Sequence, residues 1–132
     1  MNLLGWFRKE EELPVQDQKW NKMWDLWVED RAEAPYAQLM EYDSEVNNGG
    51  HSQYFFNVAN CGDVAAAAQI LLTALPEPLL SNFQSGYEAF AAQKDICDDE
   101  NDELFDQCDS VFYDNEQILL DMLAEYADTM KL

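Results

Sequence analysis

Ser44-Glu-Val-Asn-Asn-Gly-Gly-His-Ser-Gln-Tyr-Phe-Phe-Asn57 is the stretch on which the reading of this chain turns. It lies between segments whose apolar residues recur with a helical period. Asn and Gly both tolerate positive φ, so Asn47-Asn48-Gly49-Gly50 reads as a helix stop followed by a tight reversal. The amides of Asn47, Asn48, Gln53 and Asn57 suit the backbone groups that such a turn leaves unpaired. Tyr54, Phe55 and Phe56 then plug the reversal into the core. Two roles fit the stretch: a ligand pocket lined by amides and aromatics, or a polar-stapled turn that fixes how two helices pack. No nucleophile–base pair or metal cluster accompanies the amides, which favours the turn.

Working outward, Tyr36, Leu39, Met40 and Val46 give the preceding helix its face, and Pro35 suits its first turn. Upstream, Trp20, Met23, Trp24, Trp27 and Val28 form a broad stripe on a helix from Asp17 to about Ala32. In so acidic a chain that Trp stripe is core rather than a platform for bases. Downstream, a short helix from Gln53 to Val58 stops at Asn60-Cys61-Gly62. Asp63 then caps a helix from Val64 to Leu75, whose Ala65–Ala68 run suits a central, closely packed position. Pro76 and Pro78 break the chain before a helix from about Glu77 to Gln93. Gly86 within it costs about 1 kcal/mol against Ala and marks a close contact. Leu104, Phe105, Cys108, Val111 and Phe112 define another helix. Asp114 or Asn115 caps the last one, striped by Ile118, Leu119, Met122, Leu123, Tyr126 and Met130. No segment alternates as a strand does. The expectation is all-α: a single compact bundle of six or seven short helices over residues 16–132. Residues 1–15 form an arm ended by Pro14, with Leu3, Leu4, Trp6 and Phe7 expected to dock on the body or to fray. Glu10, Glu11 and Glu12 speak against a membrane role for it.

With 132 residues the chain suits one domain, able to bury roughly two-thirds of its unfolded surface. An apolar share of 48% with four Trp, six Tyr and seven Phe excludes intrinsic disorder. No apolar run reaches the ~18 residues of a membrane span. Seven Lys and Arg face 27 Asp and Glu, a net charge of −20. Nucleic acid and anionic membranes repel such a chain, and its natural partners are cations or basic proteins. Solubility alone is an equally weighted explanation. Cys61, Cys97 and Cys108 are odd in number and form no CxxC, which suits free thiols in a reducing cytoplasm.

The acids concentrate in Asp95, Asp98, Asp99, Glu100, Asp102, Glu103, Asp106 and Asp109, with no Lys or Arg from Asp95 to Glu116. An EF-hand counted from Asp98 needs Gly and Glu where Glu103 and Asp109 stand, so no specific calcium site is expected. There is no phosphate loop, HExxH or GxSxG. His51 is alone, with only Ser52 adjacent, and is expected to be a structural or surface residue rather than a general base. Neither a metal nor a cofactor is expected.

Glu45-Val-Asn-Asn-Gly-Gly-His-Ser-Gln-Tyr-Phe-Phe-Asn57 resembles a family of small all-helical bacterial proteins named for a DNA-mimic member and long described as a domain of unknown function. Leu104-Phe-Asp-Gln-Cys-Asp-Ser-Val-Phe-Tyr113, leading into the Leu119–Tyr126 helix, resembles the family's apolar–Asp–aromatic segment. With the Trp-bearing first helix, the resemblance covers about residues 16–130. His51 departs from it, standing where an apolar or aromatic residue is expected; poorer packing or partial exposure is expected there. The resemblance implies an all-α fold and an acidic surface that imitates DNA for a basic DNA-binding protein. The expected function is thus a non-enzymatic, cytoplasmic acidic binding protein, its partner-binding acids running from Asp95 to Asp109. An interaction or immunity-type module using the amide–aromatic stretch is the alternative, and an enzyme using Asn48, His51 and Gln53 a third class. Direct nucleic-acid binding is not expected, and a homodimer stays an open option.

Overall fold

The apolar stripes fold into five helices in a computed structural model that describes residues 13–132. They are α1 (Val15–Val28), α2 (Tyr36–Cys61), α3 (Val64–Ala74), α4 (Leu79–Ala91) and α5 (Asp102–Ala127). No strand occurs among the described residues, so the all-α expectation holds. Five helical elements stand in place of six or seven. The glycines at 49 and 50 do interrupt the helical dihedrals, as expected, but two helical halves join across that kink to make α2, the second of them running through Gln53–Val58. At the other expected break Asn115 bonds back to Val111 O at 2.9 Å instead of capping a new helix, and α5 runs on. The expected arm's Leu3, Leu4, Trp6 and Phe7 lie outside the described residues.

α5 is the central element, packing against α1, α2 and α4. α3, expected to be central, packs on α2 and α4 at the edge. Its alanines explain the difference: Ala65 and Ala66 are exposed, and only Ala68 and Leu71 are buried within the helix. Asp63 caps α3 as expected, its Oδ1 accepting from Ala66 N at 3.0 Å. At the centre Tyr42 makes edge-to-face contacts with Tyr54, Phe83 and Phe112, with ring centroids 5.2, 5.2 and 5.3 Å away. Phe55 stacks on Phe90 at 5.2 Å, beside Gly86, where a Cβ would stand 3.3 Å from the Phe55 ring. Met23 of α1 is fully buried, while Trp20, Trp24 and Trp27 are half-buried against the core. Lys19 and Lys22 donate to the carbonyls of Asp128 and Lys131, tying α1 to the chain's C-terminal end. No helix among the described residues is long and apolar enough to cross a membrane.

Candidate functional site

The kink of α2 comes first in building the site. Gly49 (φ −158°, ψ 18°) and Gly50 (φ 78°, ψ −176°) depart from helical dihedrals. An α-helix pairs each N–H with the carbonyl four residues back, and two such residues interrupt that ladder. α5 supplies the replacements. Asp109 Oδ1 accepts from the His51 backbone N–H at 2.7 Å, the first amide beyond the kink. Tyr113 OH donates to Val46 O at 2.9 Å, in the last turn before it. The carboxylate thereby sits at the N-terminal, electropositive end of the second half of α2.

The same Asp109 oxygen meets the His51 ring at Nδ1, 2.6 Å away, and Nε2 lies 2.6 Å from Tyr42 OH. Burial, above the effects of nearby charges, holds the Tyr42 phenol well above its ordinary range, so it keeps its proton beside Nε2. Both ring nitrogens are thus hydrogen-bonded, Nδ1 with the Asp109 carboxylate and Nε2 with the phenol. His51 is fully buried. The expected poor packing or partial exposure is corrected: a polar ring is tolerated at this depth because both of its nitrogens are paired.

On the other flank, Glu45 Oε2 accepts from Gln53 Nε2 at 2.9 Å and Asn57 Nδ2 at 2.8 Å, clasping the two halves of α2 together. Asn47 Nδ2 donates to Asp43 O at 2.8 Å and to Glu116 Oε2 at 2.7 Å. The amides were expected to bond backbone groups freed by the turn. Asn47 alone of the four amides bonds a backbone carbonyl; Gln53 and Asn57 serve the Glu45 carboxylate, and no side-chain bond is found for Asn48. Tyr54 and Phe55 are buried as expected, but Phe56 is 40% exposed. The helix continues past Gly50, so its 3.6-residue period turns one of three consecutive aromatics outward.

The acid run is divided by the fold. Asp98, Asp99 and Asp102 line an open cavity of about 640 Å³ together with Asn48, Gly49, Ser52, Gln53, Phe56 and Asn57. The exposed side of the Asn/Gly/Gln stretch and the acidic connection before α5 thus share one groove, with Ile96, 40% exposed, on its wall. Asp95, Glu100, Glu103 and Asp106 are exposed but do not line it. Asp109, expected among the partner-binding acids, is partly buried, its side chain 24% exposed and bonded to His51. Some acids have local duties: Asp95 and Asp98 accept from the backbone N–H two residues on, and Asp102 and Glu103 occupy the first turn of α5, which favours anions.

Sequence reasoning missed the pair formed by Asp43 and Glu116. Asp43 is 7% exposed, and its Oδ1 has no hydrogen-bond partner. Burial first, then the hydrogen bond and charge of Glu116, push its carboxyl up to about 7, against an opposing bond from Asn47. One signal was available: Asp43 interrupts the apolar face of Leu39, Met40 and Val46 at helical spacing. Glu116 carried none.

A family model described as DMP19-like protein matches residues 29–130. The chain belongs to the DMP19-like family. The match spans α2 to α5, and so includes the kink, its partners on α5 and the acidic connection of this DMP19-like protein. No curated protein and no solved structure matches the chain.

Among the described residues of the DMP19-like chain, no Lys or Arg forms an ion pair with a carboxylate; the one pair within 4.0 Å is His51–Asp109. No group of three or more His, Cys, Asp or Glu among them is placed to hold a metal ion. Among the described residues, then, no Lys or Arg pairing offsets the repulsion among carboxylates. Thermal stability is expected to rise between about 10 and 200 mM NaCl, since the Debye length is ~10 Å at 0.1 M. Melting temperatures across that series check it; a flat or falling curve would mean that bound cations already compensate the acids.

Proposed function

We propose that this protein is a non-enzymatic, cytoplasmic acidic binding protein that imitates DNA toward a basic DNA-binding partner. The observation that carries the proposal is the acidic rim, whose stretch from Asp95 to Glu116 holds no Lys or Arg. From Ala32 to Met130, Lys94 is the only Lys or Arg. The acids of the 95–106 run reach solvent, and three of them share one groove with the Asn/Gly/Gln stretch. A partner's Lys and Arg meet such a rim as they meet phosphates, by charge and position rather than through base edges. Membership of a family named for a DNA mimic supports the same reading. The complete burial of His51 supports a non-enzymatic role, because a general base must reach its substrate's proton.

Asp109 has no part in that rim. Reversing Asp98, Asp99, Asp102 and Asp106 to Lys is expected to abolish competition with DNA for the partner while leaving the helical circular-dichroism spectrum intact. Wild-type binding weakens as salt is raised, with a slope shallower than DNA's because a protein lacks DNA's full condensed counterion layer. Capture from a bacterial lysate, eluted with salt and followed by DNA competition, measures both. A reversed variant that competes as well as the wild type sinks the proposal.

An interaction module centred on the amide–aromatic stretch is the second reading. It draws on Phe56 and Ile96, which place exposed apolar surface in the same groove. A partner retained at high salt, and lost on Phe56→Ser, would select it.

A further inference from the structure

The acidic groove is not lined by acids alone. Phe56 of α2 and Ile96 of the acidic connection, each 40% exposed, line it beside Asp98, Asp99 and Asp102. No Lys or Arg lines it. Apolar side chains set among carboxylates suit an occupant that is itself apolar and cationic, since each kind of surface then meets its complement. The chain contains one such segment. Leu3-Leu4-Gly5-Trp6-Phe7-Arg8-Lys9 joins four large apolar residues to the only adjacent pair of basic residues in the sequence. It lies outside the described residues, so nothing in the groove's lining already includes it.

The chain is long enough for the contact. Lys19 and Lys22 donate to the carbonyls of Asp128 and Lys131, the same step along both segments, so α1 and α5 run in the same direction. Gln16, Asp17 and Trp20 share a surface cavity with Gln117, Leu120 and Asp121. The N-terminal end of α1 is therefore beside the middle of α5 and directed toward Asp102. From Gln117 back to Asp102 is about 22 Å of helix. The eight residues from Arg8 to Gln16 span up to ~27 Å when extended, before the reach of the arginine side chain is added.

We propose that residues 3–9 dock in the acidic groove of their own chain. Trp6 and Phe7 cover Phe56 and Ile96, while Arg8 and Lys9 meet Asp98, Asp99 and Asp102. Glu10, Glu11 and Glu12 follow the basic pair in sequence and are not part of the docked segment. A docked arm occupies the acids that a basic partner would use, so such a partner has to displace it. Only that consequence rests on the DNA-mimic reading; the docking does not.

The groove carries its own reporter. Cys97 is exposed and lines it, whereas Cys61, also exposed, lines a different cavity beside α3. Gly5→Cys in the full chain, oxidised with glutathione disulfide and mapped by mass spectrometry, tests the docking. Each thiol's own rate with iodoacetamide is divided out. The expected result is an intramolecular bond to Cys97 favoured over Cys61 by about tenfold or more. Arg8→Glu with Lys9→Glu, and separately Phe56→Ser, each reduce the Cys97 bond by about fivefold or more. An unchanged helical circular-dichroism spectrum shows that the variants fold; if Phe56→Ser does not, the charge reversal carries the comparison. Equal bonding to Cys61 and Cys97, bonding only between chains, or a Cys97 preference untouched by the charge reversal overturns the proposal. No partner and no DNA enter the measurement, so its failure is distinct from a failure of the DNA-mimic reading.

Discussion

Replacing Gly50 with alanine lowers the unfolding free energy by about 3–5 kcal/mol, the largest effect expected of a single substitution near the kink. Two causes add. With φ at 78° and ψ at −176°, Gly50 lies in a region essentially closed to residues with a Cβ. A Cβ there would also run into the Asp109 carboxylate, standing 3.0 Å from its Cγ and closer still to Oδ2. Moving that carboxylate removes the partner of both the His51 backbone N–H and the buried ring Nδ1. Asparagine, which often replaces glycine in left-handed helix caps, gives no rescue at this ψ. Gly49→Ala costs less, since its φ is negative and its Cβ meets the half-buried Gln53 side chain, which is not the sole partner of a buried group. Urea unfolding of the three variants measures the order. A Gly50→Ala protein within about 1 kcal/mol of wild type would show that the kink does not require glycine.

Asp43→Asn is expected to flatten the fall in stability on the alkaline side. The Asp43 carboxyl is pushed up to about 7 in the folded protein, against ~3.9 in an unfolded chain. Between these values the folded state holds a proton that the unfolded state has released. The stabilisation is therefore fully present below about pH 4 and is lost as the pH rises through about 7, on the order of 4 kcal/mol in all. Asparagine keeps the shape and carries no charge, so neither burial nor the Glu116 charge acts against it. The variant should thus gain on the order of 2–3 kcal/mol relative to wild type between pH 5 and pH 8. General repulsion among the other carboxylates tilts both proteins alike, so the difference between them isolates this pair. Parallel curves would place Asp43 in an ordinary solvated environment.

Local signals were legible where one short stretch decides the outcome. Asn47-Asn48-Gly49-Gly50 announced a positive-φ glycine, Asp63 its cap, and Gly86 a close contact, because backbone sterics and capping depend on a few neighbouring residues. Kink and stop, however, share the same local chemistry. Asp109 and Tyr113 on α5 decide between them, and no sequence window around residue 50 contains either. Asp114 and Asn115 looked like caps, yet Phe105, Cys108, Phe112, Leu119, Leu123 and Tyr126 keep one buried stripe across them, and tertiary packing overrode the caps. Asp109 was readable in part: it stands four residues after Phe105 and three before Phe112, on the face that packs inward. The acid-rich run around it concealed that periodicity. The Asp43–Glu116 pair joins residues 73 positions apart, beyond the reach of helical spacing.

The bonds by which α5 repairs the break in α2 join positions 58 and 67 residues apart in the chain. Neither half of the bent helix can satisfy its interrupted backbone until the C-terminal helix has docked. The His51 amide, the first beyond the kink, is therefore not a local reporter of fraying. Its hydrogen exchange proceeds through opening that releases α5 as well. The acidic segment before α5 is anchored at one end in the same cooperative unit, so the rim is held by a scaffold that unfolds as a whole and not by an appendage that melts first.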